Sequence, residues 1–221
     1  EFEGPITVWE NDGTGRLTHS DTDGGAIAAQ SLGSAETQAL ALPDLDGDGH
    51  ADLLEATTNG TNQVWENDGA GIRLRGALAD DSQSLPSAAT NGVALADLNG
   101  DGARDALAVN DGANAVYTND GSGTLKDSGA LSLDSTDSGR TAQDVAVADL
   151  DGDGDTDAVV ANASTAAHTV YTNDGDSTLS LTTVGDGDGR GVALGDLDRD
   201  GSPEALIATA SSQQNRFLDN D

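Results

Sequence analysis

The sequence predicts an all-β fold made of short strands that recur with a period of about fifty residues. An acidic loop of nine residues begins at positions 44, 97, 149 and 196. A second segment keeps the same period. It reads Val-Trp-Glu-Asn-Asp-Gly at 8–13 and 64–69, and Val-Tyr-Thr-Asn-Asp-Gly at 116–121 and 170–175. Internal repeats of this length are typical of solenoids, propellers and arrays.

One repeat, taken in chain order, contains four predicted strands, A to D. Apolar residues alternate or form short runs at 92–97 (strand A), 105–109 (strand B) and 115–118 (strand C). Asn-Asp-Gly at 119–121 predicts a hairpin turn, because Asn and Gly tolerate positive φ, and residues 125–131 make a weaker strand D. Four short strands are the unit of a propeller blade. The chain is therefore predicted to be a β-propeller of about four four-stranded blades, with the acidic loop between the first two strands of each blade.

The whole chain, 1–221, is predicted to be a single repeat domain. Its predicted parts are N-terminal completing strands at 1–35, repeats at 36–87, 88–139 and 140–187, and a partial repeat at 188–221.

The two ends of the repeat pattern are incomplete. The N-terminal segment supplies a strand C at 6–9 and a strand D near 16–17, and the last repeat supplies strands A, B and C without a strand D. One arrangement is a closed ring, in which the N-terminal segment completes the last blade of its own chain. In a second arrangement it completes the last blade of a neighbouring chain, because unpaired edge strands can join chains. Alternatively, the chain is a segment of a longer propeller. The sequence leaves these three arrangements open.

The composition restricts the partners. Forty acidic and nine basic residues give a formal charge of -31, so we expect no binding to nucleic acid, whose phosphates would be repelled, and no membrane insertion. Few lysines and many small residues are typical of halophile proteins, although an ordinary acidic extracellular protein is the alternative. The absence of cysteine excludes disulfides and thiol chemistry, and we expect an extracellular or cell-surface location.

The acidic loops have the composition of calcium sites. Oxygen-bearing side chains stand at positions 1, 3, 5 and 9 and Gly at position 6, and Ca²⁺ takes six to eight oxygen ligands at about 2.3–2.6 Å. An EF-hand needs Glu at position 12, which is present as Glu55 in the first loop but is Ala, Val or Ile in the others. Acidic turns without metal are the other alternative, in which clustered carboxylates repel each other.

The pattern Asp-Leu-Asn-Gly-Asp-Gly-x-x-Asp, with a later Asn-Asp-Gly-x-Gly-x-Leu, resembles the FG-GAP/VCBS-type repeat of integrin-α-like β-propellers. The resemblance implies about four Ca²⁺ sites, each formed by side chains 1, 3, 5 and 9 and the main-chain carbonyl at position 7. It assigns the first and second sites to Asp44, Asp46, Asp48 and Asp52, and to Asp97, Asn99, Asp101 and Asp105. The third and fourth are Asp149, Asp151, Asp153 and Asp157, and Asp196, Asp198, Asp200 and Glu204. The fourth departs from the pattern through its longer Glu204, Pro203 before it, and Arg199 in place of Gly.

Apart from the acidic loops, the sequence contains two sequons and a set of aromatic residues at matching positions. Asn59 and Asn162 begin N-glycosylation sequons, and Trp9, Trp65, Tyr117 and Tyr171 at matching strand C positions are predicted to pack between blades. No catalytic constellation is recognisable. We therefore expect a calcium-stabilised structural or adhesive protein rather than an enzyme. The alternatives are a polysaccharide-active, lyase-like propeller, and a module with a surface glycan or protein ligand.

Overall fold

The computed structural model describes residues 9–11, 14, 17–19, 36–67, 74–76, 85, 89–127, 132–133, 140–163, 167–175, 178–210 and 214–220. Within these residues all regular structure is β-strand. No helix there is long and apolar enough to cross a membrane.

Four sheets follow one another along the chain, and we number them blades 1 to 4. Blade 1 contains β3 (Thr37–Ala41), β4 (Leu53–Thr57), β5 (Gln63–Asn67) and β6 (Leu74–Gly76). Blade 2 contains β7 (Thr90–Ala96), β8 (Asp105–Asn110), β9 (Ala115–Asn119) and β10 (Leu125–Asp127). Blade 3 contains β12 (Ala142–Ala148), β13 (Asp157–Asn162), β14 (His168–Asn173) and β15 (Thr178–Val184). Blade 4 contains β16 (Gly189–Gly195), β17 (Glu204–Thr209) and β18 (Arg216–Leu218).

Consecutive strands of each blade pair antiparallel, so the predicted A–B–C–D order is confirmed for blades 1 to 3 and A–B–C for blade 4. An additional short strand, β11 (Ser132–Leu133), pairs parallel with β15 at the outer edge of blade 3 and was not predicted. The predicted strand D of blade 2 covered 125–131; β10 contains Leu125–Asp127, and residues 128–131 lie outside the described part of the chain.

The N-terminal hairpin forms a sheet of its own. It consists of β1 (Trp9–Asn11) and β2 (Leu17–His19), which pair with each other as a two-stranded sheet. The predicted strand C began at residue 6, and residues 6–8 lie outside the described part of the chain. Among the described residues no strand pairing joins this hairpin to β18, so the predicted completion of the last blade stays a prediction.

The A strands lie next to one another in chain order, since β3 contacts β7, β7 contacts β12 and β12 contacts β16. Each A strand carries a register irregularity at its start, between Thr37 and Ala39 and at the three equivalent places. Extensive contacts thus connect each blade to the next, and the described residues show no comparable contact between blade 4 and blade 1. The sheets are consistent with blades of a propeller, without fixing a closed ring.

The hydrophobic core consists of three clusters, each between two consecutive blades. Blades 1 and 2 bury Leu45, Leu54 and Val64 against Ala106, Ala108, Tyr117 and Leu125. Blades 2 and 3 bury Leu98, Leu107, Val109 and Val116 against Ala158, Val160, Tyr171 and Leu179. Blades 3 and 4 bury Val159 and Ala161 against Ala205 and Ile207, with Leu150 and Leu218 packed beside them. Inter-blade packing is therefore confirmed for Tyr117 and Tyr171.

Candidate metal centres

The first carboxylate of each acidic loop organises the turn between strands A and B. In loop 1 (residues 44–52), Asp44 accepts hydrogen bonds from the main-chain N–H groups of Gly47 at 2.9 Å and Gly49 at 3.0 Å. The same pair of bonds is made by Asp97 in loop 2 (97–105), Asp149 in loop 3 (149–157) and Asp196 in loop 4 (196–204). The loop therefore curls around the side chain at position 1.

Positions 3 and 5 each accept the N–H group two residues further on. Asp46 accepts from Asp48 at 3.1 Å, and Asp48 accepts from His50 at 2.8 Å. The other three loops repeat both bonds through Asn99 and Asp101, Asp151 and Asp153, and Asp198 and Asp200. These short-range bonds turn successive side chains toward the interior of the loop.

The carboxylate at position 9 is buried and connects the loop to a second turn. Asp52 accepts from the N–H of Leu45 at 2.8 Å through one oxygen and from that of Asn67 at 2.9 Å through the other. Asp105 and Asp157 make the equivalent bonds at 2.7–2.9 Å to Leu98 and Asn119, and to Leu150 and Asn173. Position 9 thus links the A–B loop to the Asn-Asp-Gly turn after strand C.

Burial raises the pKa of Asp52, Asp105 and Asp157 above the ordinary aspartate value. The two main-chain N–H bonds oppose this rise, while other carboxylates of the same loop add to it. The charged form of these three aspartates is thus disfavoured by desolvation and by their acidic neighbours. A dication at the loop would offset both effects.

The carboxylates also lie close enough together to share a cation. Oxygen atoms of Asp44, Asp46 and Asp48 lie within 4.8 Å of one another, as do those of Asp149, Asp151 and Asp157, and those of Asp196, Asp198 and Glu204. Each carboxylate oxygen has two lone pairs, and the N–H bonds described above leave acceptor capacity on every carboxylate. The residues of loops 1, 3 and 4 therefore fit a calcium ion, for which carboxylate oxygens are the preferred ligands. Loop 2, which has Asn99 at position 3, forms no such three-carboxylate cluster among the described residues.

Loop 4 retains the arrangement despite its unusual sequence. Glu204 reaches the position of the shorter aspartates, is 1% exposed, and accepts the N–H of Leu197 at 2.6 Å. Arg199 adopts a φ of 72°, the conformation that Gly47, Gly100 and Gly152 adopt at the same position with φ of 75–78°. The predicted irregularities of this loop are thus accommodated by the backbone, with some strain at Arg199.

The asparagine of the Asn-Asp-Gly turn, which the sequence predicts only as a turn residue, has a second role in the structure. Asn119 of blade 2 donates from Nδ2 to the carbonyl of Leu45 in loop 1 at 2.7 Å. Asn173 and Asn220 make the same bond to Leu98 in loop 2 and Leu150 in loop 3, at 3.0 and 2.7 Å. Loops 1 to 3 are therefore each tied to the following blade. Recurrence of the asparagine at a nearly constant distance after position 9 was the available signal.

Asp174, also in this turn, was not predicted as a site residue. Its carboxylate lies within 4.8 Å of those of Asp151 and Asp153.

The two sequon asparagines differ in accessibility. Asn59 is exposed, and its Nδ2 donates to Glu36 at 2.7 Å. Asn162 is 0% exposed, and its Nδ2 donates to the Ala167 carbonyl at 2.9 Å and to Thr169 Oγ1 at 3.0 Å. Because glycosylation requires an accessible Nδ2, we expect Asn59, and not Asn162, to be the acceptor in the folded chain.

Comparison with known proteins identifies the repeat. The model of the FG-GAP-like repeat matches the chain three times, at residues 44–108, 97–160 and 149–207. Each match begins at position 1 of one acidic loop and ends in strand B of the next repeat. A search of curated proteins finds no match.

Two solved structures share the fold at low sequence identity. A lectin from Agrocybe aegerita that recognises non-reducing terminal N-acetylglucosamine matches with a TM-score of 0.58 and 21% identity, over 99% of this chain and 61% of the lectin. BBS1N, in complex with ARL6DN, matches with a TM-score of 0.52 and 13% identity, over 84% of this chain and 52% of BBS1N. The chain thus spans between half and two thirds of the length of each.

Proposed function

Because this chain belongs to the family of FG-GAP-like repeat proteins, we propose that it is a calcium-stabilised module of the β-propeller type with a structural or adhesive role. The observation that carries the proposal is the fourfold repetition of one loop in which a buried carboxylate, Asp52, Asp105, Asp157 or Glu204, shares the loop with two or three further carboxylates. A purely structural turn does not require three or four carboxylates, since their mutual repulsion weakens it.

Calcium acts in this proposal as a folding cofactor. The chain's own residues hold the loop around the side chain at position 1 and fasten it to the turn after strand C through position 9. The cation neutralises the repulsion between the carboxylates, so its binding free energy adds to the free energy of unfolding. Because loops 1 to 3 are also bonded to the following blade, ordering one of these loops stabilises the contact between two blades.

Isothermal titration calorimetry of chelator-treated protein tests the proposal. We expect about four Ca²⁺ ions per chain, and weaker binding of Mg²⁺, which demands stricter octahedral geometry. Magnesium in molar excess is the matched control for non-specific attraction to a chain of charge -31. Binding without a saturable stoichiometry, or equal heats for both ions, would contradict the proposal.

The location and the role are inferred from chemistry. An extracellular or cell-surface position supplies millimolar calcium, which suits sites of moderate affinity. High salt, as in a halophile's surroundings, screens the self-repulsion of this acidic chain to about 3 Å at 1 M. In this setting we expect the module to act in surface or matrix structures by self-association. One route is pairing of the N-terminal strand of one copy with the outer edge of β18 in another, which carries no strand pairing among the described residues.

Ligand binding is the second candidate function. The structural similarity to the N-acetylglucosamine-binding lectin concerns the fold alone at 21% identity, yet it makes a glycan the first ligand class to test. A glycan array probed in calcium, and again in chelator, separates a lectin-like module from a structural one. We expect no catalysis, and turnover of an acidic polysaccharide would support the lyase-like alternative instead.

A further inference from the structure

One position at the start of strand C connects each of the first two blades to the next. In blade 1 it is Asn62, whose Nδ2 donates to Thr90 Oγ1 of blade 2 at 2.8 Å. In blade 2 it is Asn114, whose Nδ2 donates to the hydroxyl of Tyr171 in blade 3 at 3.1 Å. Both side chains also accept an N–H group at the end of strand B of their own blade. We call this position the junction residue.

In blade 3 the junction residue is His168, and one of its ring nitrogens has no partner. The imidazole is 0% exposed, and Nδ1 accepts the N–H of Asn162 at 3.2 Å. The neutral ring therefore carries its hydrogen on Nε2. Among the described residues, Nε2 makes no hydrogen bond. The junction between blades 3 and 4 thus lacks the bond that Asn62 and Asn114 provide at the two earlier junctions.

The start of blade 4 packs directly on this ring. The first residue of β16, Gly189, corresponds by strand register to Thr90 and Ala142 in the two preceding blades. A Cβ atom on Gly189 would lie 2.7 Å from Cε1 of His168. A Cβ atom on Gly185, in the connection between blades 3 and 4, would lie 3.7 Å from Cδ2 of the same ring. The imidazole is therefore enclosed by the segment that begins blade 4.

The charged residues next to this junction lie on both blades and on the connection between them. They are Arg140 before β12, Asp186 and Asp188 in the connection, Arg190 of β16, and Arg216 of β18. Arg140 donates to the carbonyl of Ala167, beside the ring, at 2.7 Å. Each aspartate pairs with an arginine of blade 4, at 2.6 and 3.0 Å. Burial first, and then the charge of Arg216, lower the pKa of His168, whereas Asp186 raises it.

Protonation would remove the one hydrogen bond that the ring accepts. With a hydrogen on both nitrogens, Nδ1 would face the N–H of Asn162 donor to donor, and the N–H at Nε2 would still lack an acceptor. A positive charge would also be buried. These costs are relieved when blade 4 moves away, because the ring can then turn from Asn162 into water.

The interface between blades 3 and 4 buries the fewest apolar residues of the three interfaces in the described part of the chain. They are Val159, Ala161, Ala205 and Ile207. The cluster between blades 2 and 3 is larger and includes bulkier side chains, such as Tyr171 and Leu179. Regions that bury little apolar surface open at a lower free energy than the rest of a fold. Blade 4 should therefore open more readily than blades 2 and 3 separate.

We propose that protonation of His168 opens the junction between blades 3 and 4, so that blade 4 separates from blade 3 in mild acid while blades 1 to 3 remain packed together. The contact depends on a buried ring, an unpartnered nitrogen and a glycine packed against them. It does not depend on the acidic loops, which join the end of strand A to the start of strand B. His168 lies at the opposite ends of these strands.

The direction of the pH dependence follows from the two states of the junction. Once blade 4 has moved away, the imidazole is in water and its pKa is near the ordinary value of about 6.5. The opened form therefore binds a proton as the pH falls below about 6.5, whereas the packed form resists it. Between pH 7.5 and pH 5.5 the opened fraction should rise up to about tenfold, the most that one imidazole allows over this range.

Hydrogen exchange followed by mass spectrometry, in saturating calcium at pH 7.5 and pH 5.5, tests the proposal. After correction for the intrinsic pH dependence of amide exchange, peptides from β16 and β17 should exchange up to about tenfold faster in acid. Peptides from β8 and β9 in blade 2 are the internal reference and should keep their protection. Unchanged protection of blade 4, or an equal loss in all blades, would overturn the proposal.

Two variants identify the group responsible. His168→Asn introduces the residue that Asn62 and Asn114 provide at the other junctions, so it should fold and lose the acid response of blade 4. Arg216→Gln removes an exposed cation that disfavours the charged ring in the packed form, so its response should be smaller than that of the unmodified chain. An acid response of the same size in the unmodified chain and in His168→Asn would contradict the proposal and assign the response to carboxylates.

Discussion

At the scale of single residues, the acidic loops contain two kinds of carboxylate. Those at positions 1, 3 and 5 accept N–H groups of their own loop and are mostly exposed, as Asp44 and Asp48 are. Those at position 9 are buried and hold N–H groups from two separate segments, as Asp157 does for Leu150 and Asn173. The first kind is required chiefly for the cation and the second for the fold itself.

Substitution of Asp46→Ala and Asp48→Ala together should lower the melting temperature in calcium and have little effect in chelator. Both side chains accept only local N–H bonds, so their loss mainly removes cation ligands. Calorimetry should show one Ca²⁺ fewer per chain. An equal loss of stability with and without calcium would remove loop 1 from the set of metal sites.

Substitution of Asp157→Ala should destabilise the chain even in chelator, by about 2–4 kcal/mol, because two buried N–H groups lose their acceptor. Asp157→Asn is the conservative control, since it keeps one acceptor oxygen and should cost less. Urea unfolding in chelator measures both. Equal stability of the alanine variant and the unmodified chain would show that the carboxylate serves the metal only.

Substitution of Arg199→Gly should stabilise loop 4 by about 1 kcal/mol, because Gly adopts positive φ without the steric cost of a side chain. Removal of a cation beside the carboxylates should also strengthen calcium binding. Arg104→Gly, a cation removed from position 8 of loop 2, controls for the charge alone. A neutral or destabilising result for Arg199→Gly in unfolding experiments would argue against strain at this position.

His168 caps a strand where the other blades use asparagine. Its Nδ1 accepts the N–H of Asn162 at the end of strand B, as Asn62, Asn114 and Asn215 do through Oδ1 for the last residues of β4, β8 and β17. The side chain is fully buried, and Gly189 leaves the room that its ring occupies. Burial first, and then the nearby Arg216, lower the pKa of His168 below 6.5.

The stability of the unmodified chain should therefore fall as the pH is lowered below about 6.5, since the unfolded chain binds a proton there that folded His168 resists. His168→Asn retains an acceptor of the same kind and should show a smaller change in stability between pH 7.5 and 5.5. Urea unfolding at constant calcium gives both slopes. Identical slopes for the two proteins would contradict the assignment.

At the scale of elements, the sequence predicted what depends on local pattern. Alternation of apolar residues predicted the bounds of β7, β8 and β9 to within two residues, and the acidic loops predicted the turns between strands A and B. Missed features depend on tertiary contacts. Strand β11 pairs with β15 in parallel over two residues, which leaves no periodicity to detect. The asparagine bonds between blades join residues about seventy positions apart, such as Asn119 and Leu45.

At the scale of the whole molecule, the blades form a series in which each interface is both apolar and fastened by a loop-to-turn hydrogen bond. The repeat predicted that series correctly because each blade contacts mainly its neighbours. Closure was not predictable, since it depends on how the two end faces are covered rather than on any single repeat. In the structure, Leu40 and Leu42 of blade 1 and Phe217 of blade 4 are exposed, so the described residues do not show a closed ring either.

Thermal unfolding followed by circular dichroism, in excess calcium and then in excess chelator, tests the central claim that these loops stabilise the fold by holding calcium. We predict a cooperative transition whose midpoint falls by well over ten degrees on chelation and returns when calcium is restored, because several sites each contribute binding free energy to folding. A transition that is the same in calcium, in magnesium and in chelator would contradict the claim and reduce the four loops to acidic turns.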